Sequence, residues 1–188
     1  DYNSEFRYAG RPLASLQNLD ETGRVIYVGT FSKTVFPALR LGCLVVPENL
    51  IDAFSEARNL CDAHSPIFEQ AILADFIAEG HFGRHLRRMR TLYEKRQCLL
   101  IEEVERELGG KVKVTKSDSG MHLVGWIKDG TDESQIAAAA AANGLNISPL
   151  SSYCINAKMP PGLILGYTGF SEKEIKAGVK KLAEIWSS

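Results

Sequence analysis

The sequence predicts an α/β segment followed by an α+β segment, on three observations. A β-branched and aromatic stretch, Arg24 to Val28, stops at a glycine and runs into a hydroxyl-rich loop, as a strand does when it delivers side chains to a sheet edge. A long periodic run, His81 to Leu108, ends at Gly109-Gly110, as a helix stopped by glycine does. Beyond it, short runs follow in the order strand, turn, strand, helix, short strand, loop, strand, helix.

After the first strand and its loop, Leu39 to Pro47 reads as a second, buried strand, with Gly42 where another backbone or a ligand comes close. Two helices follow, Glu48 to Cys61 and Ile67 to Ala78, separated by Ser65-Pro66 and ended by Gly80. In the long helix, Leu86, Met89, Leu92 and Tyr93 mark an apolar stripe; Arg84, Arg87, Arg88, Arg90, Lys95 and Arg96 form either a solvated face or a surface for another domain or subunit. Strands are expected at Val112 to Thr115 and Met121 to Ile127 around a turn at Ser117 to Gly120. Asp132 and Gln135 form a capping-box variant before the alanine run, and Ser171 and Glu174 the commoner box before a last helix reaching about Trp186. The domain boundary is expected inside the long helix, dividing the chain into 1–90 and 91–188.

The 188 residues are 45% hydrophobic, enough for one domain or parts of two. A net charge of −1 gives no overall attraction to nucleic acid, so this piece is not expected to bind DNA alone. Cys43, Cys61, Cys98 and Cys154 are far apart and suggest neither a zinc site nor a disulfide framework. No apolar run approaches the roughly 20 residues that span a bilayer, and no basic-then-apolar leader is present, so the cytoplasm is the expected compartment. The sequence opens at Asp1 in mid-pattern and is read as part of a longer protein.

The chemistry concentrates in Gly29-Thr30-Phe31-Ser32-Lys33-Thr34, with Arg40 seven residues after the lysine. Thr30, Ser32 and Thr34 can donate to phosphate oxygens, Arg40 can pair with them through its planar fork, and Lys33 can form a Schiff base with a carbonyl. These parts suit pyridoxal 5′-phosphate. They also suit a solvated loop lysine and a surface arginine. A nucleotide P-loop needs a glycine directly before the lysine and another five residues earlier, where this chain has Ser32 and Tyr27. His81 and His85 share a helix face at metal-ligand spacing, but no acidic residue lies between them. His122 is open to a core or a ligand-pocket role, and Ser148, Ser151, Ser152 and Tyr153 to a solvated connection or a cofactor or effector entrance.

The segment YVGTFSKTVFPALRLGCLVVP resembles the cofactor-lysine segment of fold-type I pyridoxal-phosphate proteins, and specifically the MocR branch of GntR transcriptional regulators. DYNSEFRY, GMHLVGWI, SPLSSY and LILGYTGFSEKEI extend the likeness nearly end to end. The resemblance implies part of a fold-type I large domain followed by a small domain, with Lys33 as the catalytic and cofactor-attaching lysine. It also implies that Thr30, Ser32 and Arg40 hold the phosphate and that Tyr2 contacts the ring oxygen. It further implies a homodimer, a small-molecule amine or pyridoxal-phosphate effector, and DNA binding only through an absent winged helix-turn-helix domain. A catalytic aminotransferase of the 2-aminoadipate type is the rival reading, and a cofactor-free dimerisation module a third.

Two departures from the pattern stand out. The family's ring-nitrogen aspartate falls just before Asp1, so Asp1 is not assigned that role. Where an aminotransferase carries an arginine for the substrate carboxylate, in a motif similar to I-R-L, this chain has Leu163-Ile164-Leu165. Ile164 cannot pair with a carboxylate, so transaminase activity is expected to be weak or absent.

Overall fold

The computed structural model describes residues 4–63 and 65–187. Interactions within the chain divide it into two compact units, the first ending at Arg88 and the second beginning at Met89.

The first unit is built on an antiparallel hairpin of β1 (Tyr27–Thr30) and β2 (Gly42–Val45), in the register Tyr27↔Val45 to Thr30↔Gly42. The first strand starts later than Arg24 because the Asp20 carboxylate claims the backbone upstream. It accepts from Arg24 N at 2.6 Å and Val25 N at 2.7 Å, and also from both Thr22 donors. Those amides are thereby withdrawn from any ladder. The second strand is also shorter than expected. Pro37–Leu39 form a 3-10 turn, and Arg40 closes it in the left-handed region (φ 50°). All four β2 residues are exposed, which corrects the expectation of a buried strand. A Cβ on Gly42 would lie 2.9 Å from the Gly29 carbonyl oxygen, so the two strands approach there only because residue 42 is glycine.

A 3-10 turn, Glu48–Leu50, leads into α1 (Ile51–Asp62), so the expected helix from Glu48 begins three residues later as an α-helix. Next comes α2 (Ile67–Ala78), with the bounds the sequence indicates. Neither helix buries its apolar face within this unit: Leu73 is the one buried residue of the two, while Leu60, Phe68 and Ile72 are exposed.

The 28-residue α3 (His81–Leu108) runs through the division between the units. In the second unit β3 (Val112–Val114), β4 (His122–Ile127), β5 (Ser148–Pro149) and β6 (Gly162–Gly166) form an antiparallel sheet in the order β3-β4-β6-β5. Between β4 and β5 lies α4 (Glu133–Ala142), and α5 (Glu172–Trp186) closes the chain's described part. Asp132 Oδ1 caps α4 by accepting from Ser134 N and Gln135 N, and the Ser171–Glu174 capping box is fully formed.

The core lies here. Leu100, Val104 and Leu108 of α3, Leu123 and Leu163 of the sheet, Ile136 and Ala140 of α4, and Ile175, Val179 and Leu182 of α5 are all buried. The helical members fall three or four residues apart, one stripe per helix, and each large side chain contributes about 1.5–3 kcal/mol on burial. Central Gly125 admits its neighbours, since a Cβ there would meet Val112 Cγ1 at 2.9 Å and Leu165 Cδ1 at 3.0 Å. Among the described residues no helix is long and apolar enough to cross a membrane.

Candidate functional site

The hairpin ladder continues one step past β1, with Phe31 N donating to Leu41 O at 3.1 Å. Ser32 follows Phe31 and Arg40 precedes Leu41, so the two candidate phosphate residues flank the same rung. The loop then turns helically, Val35 N donating to Phe31 O at 2.9 Å, and this turn carries Lys33, which is exposed. The left-handed backbone of Arg40 lets the returning strand pair in register while its guanidinium stays exposed.

Two hydroxyls converge at this end of the hairpin. Thr30 Oγ1 lies 3.1 Å from Ser32 Oγ and accepts from Ser32 N at 3.2 Å. Thr34 behaves otherwise. It is 1% exposed and its hydroxyl donates to Phe31 O at 3.4 Å, which removes it from the candidate phosphate donors and makes it a brace of the loop. Tyr27, at the base of β1, has its phenol pushed above the usual range by burial and by Glu5 and Cys43 nearby.

The site therefore offers two adjacent hydroxyls, a guanidinium and a primary amine at one hairpin end. That donor set fits a phosphorylated aldehyde cofactor. Tyr2 lies outside the described residues. A cavity of about 1030 Å³ in this unit is a different place: Arg40, Leu41 and Gly42 reach it, but its walls are mainly α1 and α2 side chains such as Phe54, Arg58 and Leu73, and Thr30, Ser32 and Lys33 are not among them.

His81 stacks on Phe76 at 5.8 Å, and its Nε2 lies 3.1 Å from Glu79. In the second unit His122 is exposed, which excludes the core-packing role. Ser148 begins β5, whereas Ser151, Ser152 and Tyr153 belong to a 3-10 turn and are exposed. Ile164 is half-buried in β6, opposite Val124 of β4 and Ser148 of β5.

Three structural groups escaped the sequence reading. The Asp20 clasp had a signal in Asp20-Glu21-Thr22-Gly23, the spacing of an Asx turn. Buried Glu133 and the buried Gln97–Tyr167 pair had none, because their partners are backbone groups or lie 70 residues away.

A hairpin-borne lysine among candidate phosphate donors, followed by a long helix and a small antiparallel α+β unit, is the arrangement of a pyridoxal-phosphate transferase-like chain. Residues 3–182 match the family aminotransferase class I and II, and the chain belongs to that family. It is 42% identical over 182 residues to the probable rhizopine catabolism regulatory protein MocR of Rhizobium meliloti, covering 97% of this chain and 37% of that protein. It is 38% identical over 187 residues to the uncharacterized HTH-type transcriptional regulator YhdI of Bacillus subtilis, covering 100% of this chain and 40% of that one. Among solved structures it is similar to Pyrococcus horikoshii kynurenine aminotransferase in complex with PMP, with a TM-score of 0.86 and 29% identity over 100% of this chain and 46% of the enzyme. The chain thus spans about two fifths of the regulators it matches, and its fold is that of a fold-type I aminotransferase.

Proposed function

We propose that this chain is the C-terminal part of the aminotransferase-like, effector-sensing domain of a MocR-type GntR regulator, and that it holds pyridoxal 5′-phosphate at Lys33. The observation that carries the reading is the set of donors at one hairpin end, Thr30 and Ser32 hydroxyls 3.1 Å apart, with Lys33 next in the loop and Arg40 flanking the Phe31–Leu41 rung. The identity to two regulators supports the regulatory half.

In this reading residues 1–90 are the end of the cofactor-binding large domain and 91–188 the small domain. Lys33 Nζ would hold the cofactor at its aldehyde carbon, the carbonyl oxygen leaving as water. Thr30 and Ser32 donate to its phosphate, Arg40 neutralises that group, and Tyr2 meets the ring oxygen. Bound there, the cofactor supplies an electron-withdrawing ring and an aldehyde open to amine exchange, so a small amine or the cofactor itself is the effector. The protein works as a homodimer in the cytoplasm and reaches DNA through a winged helix-turn-helix outside this sequence.

The likeness to kynurenine aminotransferase favours one second reading, a catalytic aminotransferase in which Lys33 also shuttles the proton. Ile164 argues against it, because a substrate carboxylate left unpaired costs several kcal/mol on burial. Rapid-mixing spectroscopy on the full-length, cofactor-loaded protein separates the two. The regulator reading expects the cofactor absorbance to change slowly or not at all with common α-amino acids. Fast conversion to pyridoxamine phosphate would make the protein an enzyme.

A further inference from the structure

Glu133 is the first residue of α4 and is 8% exposed. Its two carboxylate oxygens serve different segments of the chain: Oε1 accepts from Ser151 N at 2.9 Å, and Oε2 accepts from Gly162 N. Those amides stand eleven residues apart and bound a single loop. No lysine, arginine or histidine of the described residues pairs with Glu133. Burial pushes its carboxyl pKa up, but the Gly162 amide and then the hydroxyl and amide of Ser151 outweigh that and hold it below the usual range. The N-terminus of α4 favours the same charge.

The loop between the two amides has little else to keep it in place. Ile155 to Pro160 are all exposed and belong to no strand or helix, and Ile155 is 95% exposed. At its base the β5–β6 ladder is only two residue pairs long. Ile127 N donating to Pro161 O at 3.0 Å adds one tie at the far end. A segment without buried apolar side chains opens at a free energy set by its anchors rather than by the global fold.

We propose that Glu133 is a latch: its one carboxylate closes residues 151–161 into a strap against the first residue of β6, and losing that bridge opens the strap as a unit while the four-stranded sheet stays folded. The bridge needs both charge and length. The strap presents Tyr153, Ile155 and Met159 outward, so the latch sets whether these exposed side chains are held in one arrangement or released.

Hydrogen–deuterium exchange on the full chain at neutral pH, comparing the wild type with Glu133→Asp and Glu133→Gln, tests this. Aspartate keeps the negative charge at the start of α4 but is one methylene too short to reach both amides. Glutamine keeps the length and one acceptor. The latch expects the hydrogen-bonded amides of the strap, Ser151, Cys154 and Gly162, to exchange about tenfold faster or more in Glu133→Asp, with Glu133→Gln between it and the wild type, because a charge-assisted bond has been lost. Amides of Leu123, Gly125 and Leu165 should stay near their wild-type rates. Wild-type protection of the strap in Glu133→Asp would overturn the latch and leave only a charge at a helix end. Equal acceleration in the sheet, or failure of both variants to fold, would overturn it too.

Discussion

Replacing Tyr167 by phenylalanine removes one oxygen from the most completely buried polar network of the second unit. Tyr167 is 0% exposed; its hydroxyl donates to Gly120 O at 2.7 Å and accepts from Gln97 Nε2 at 3.1 Å. Gln97, also 0% exposed, uses its Oε1 to accept from Ser117 N at 3.2 Å. The ring is retained, so no cavity larger than the hydroxyl opens. The loss is therefore one of hydrogen bonding. Each bond contributes about 1 kcal/mol net, and the buried Gln97 amide left without its acceptor adds about 1–3 kcal/mol. Water can reach half-buried Gly120 and recover part of this, so the expected destabilisation is about 2–3 kcal/mol. Urea unfolding followed by tryptophan fluorescence measures it in the right place, since Trp126 and Trp186, the chain's 2 tryptophans, both lie in the second unit. A loss below about 0.5 kcal/mol, or Tyr167→Phe and Gln97→Leu effects that simply add, would refute the network as a coupled unit.

Arg40→Ala should weaken retention of pyridoxal phosphate about ten- to a hundredfold and leave phosphate-free pyridoxal nearly unaffected, as equilibrium titration of the two would show; both residues carry a Cβ, so the left-handed backbone is no more strained in the variant. The Asp20 carboxyl is lowered to about 2 by the backbone amides of Thr22 and Val25 first. A lowered folded-state pKa gives stability that is present above the unfolded value near 4 and lost as pH falls toward 2. Exchange protection of the Arg24 and Val25 amides should fall across that window, and Asp20→Asn should abolish the pH dependence. Gly42→Ala should shift the hairpin, because its Cβ meets the Gly29 carbonyl oxygen, and cost about 1–3 kcal/mol in chemical unfolding.

The elements easiest to read in the sequence were those with local punctuation. Proline and glycine bracket α2 and end α3, and the Ser171–Glu174 box opens α5, so these bounds emerge from neighbouring residues alone. The β1–β2 hairpin was harder. Its limits depend on Asp20 taking two amides and on Arg40 turning left-handed, neither of which leaves a hydrophobic pattern. The burial expected for β2 rested on apolar composition, and composition does not say what covers a face. At the candidate site, residue types and spacing indicated Thr30, Ser32, Lys33 and Arg40. The inward turn of Thr34 follows from loop geometry that spacing does not encode.

Cofactor attachment turns on Lys33. Loading the full-length protein with pyridoxal phosphate, reducing it with borohydride and mapping the peptides asks directly which amine holds the cofactor. A phosphopyridoxyl mass is expected on Lys33, and it should disappear in Lys33→Ala. An adduct on any other lysine, or none at saturating cofactor, would contradict that attachment.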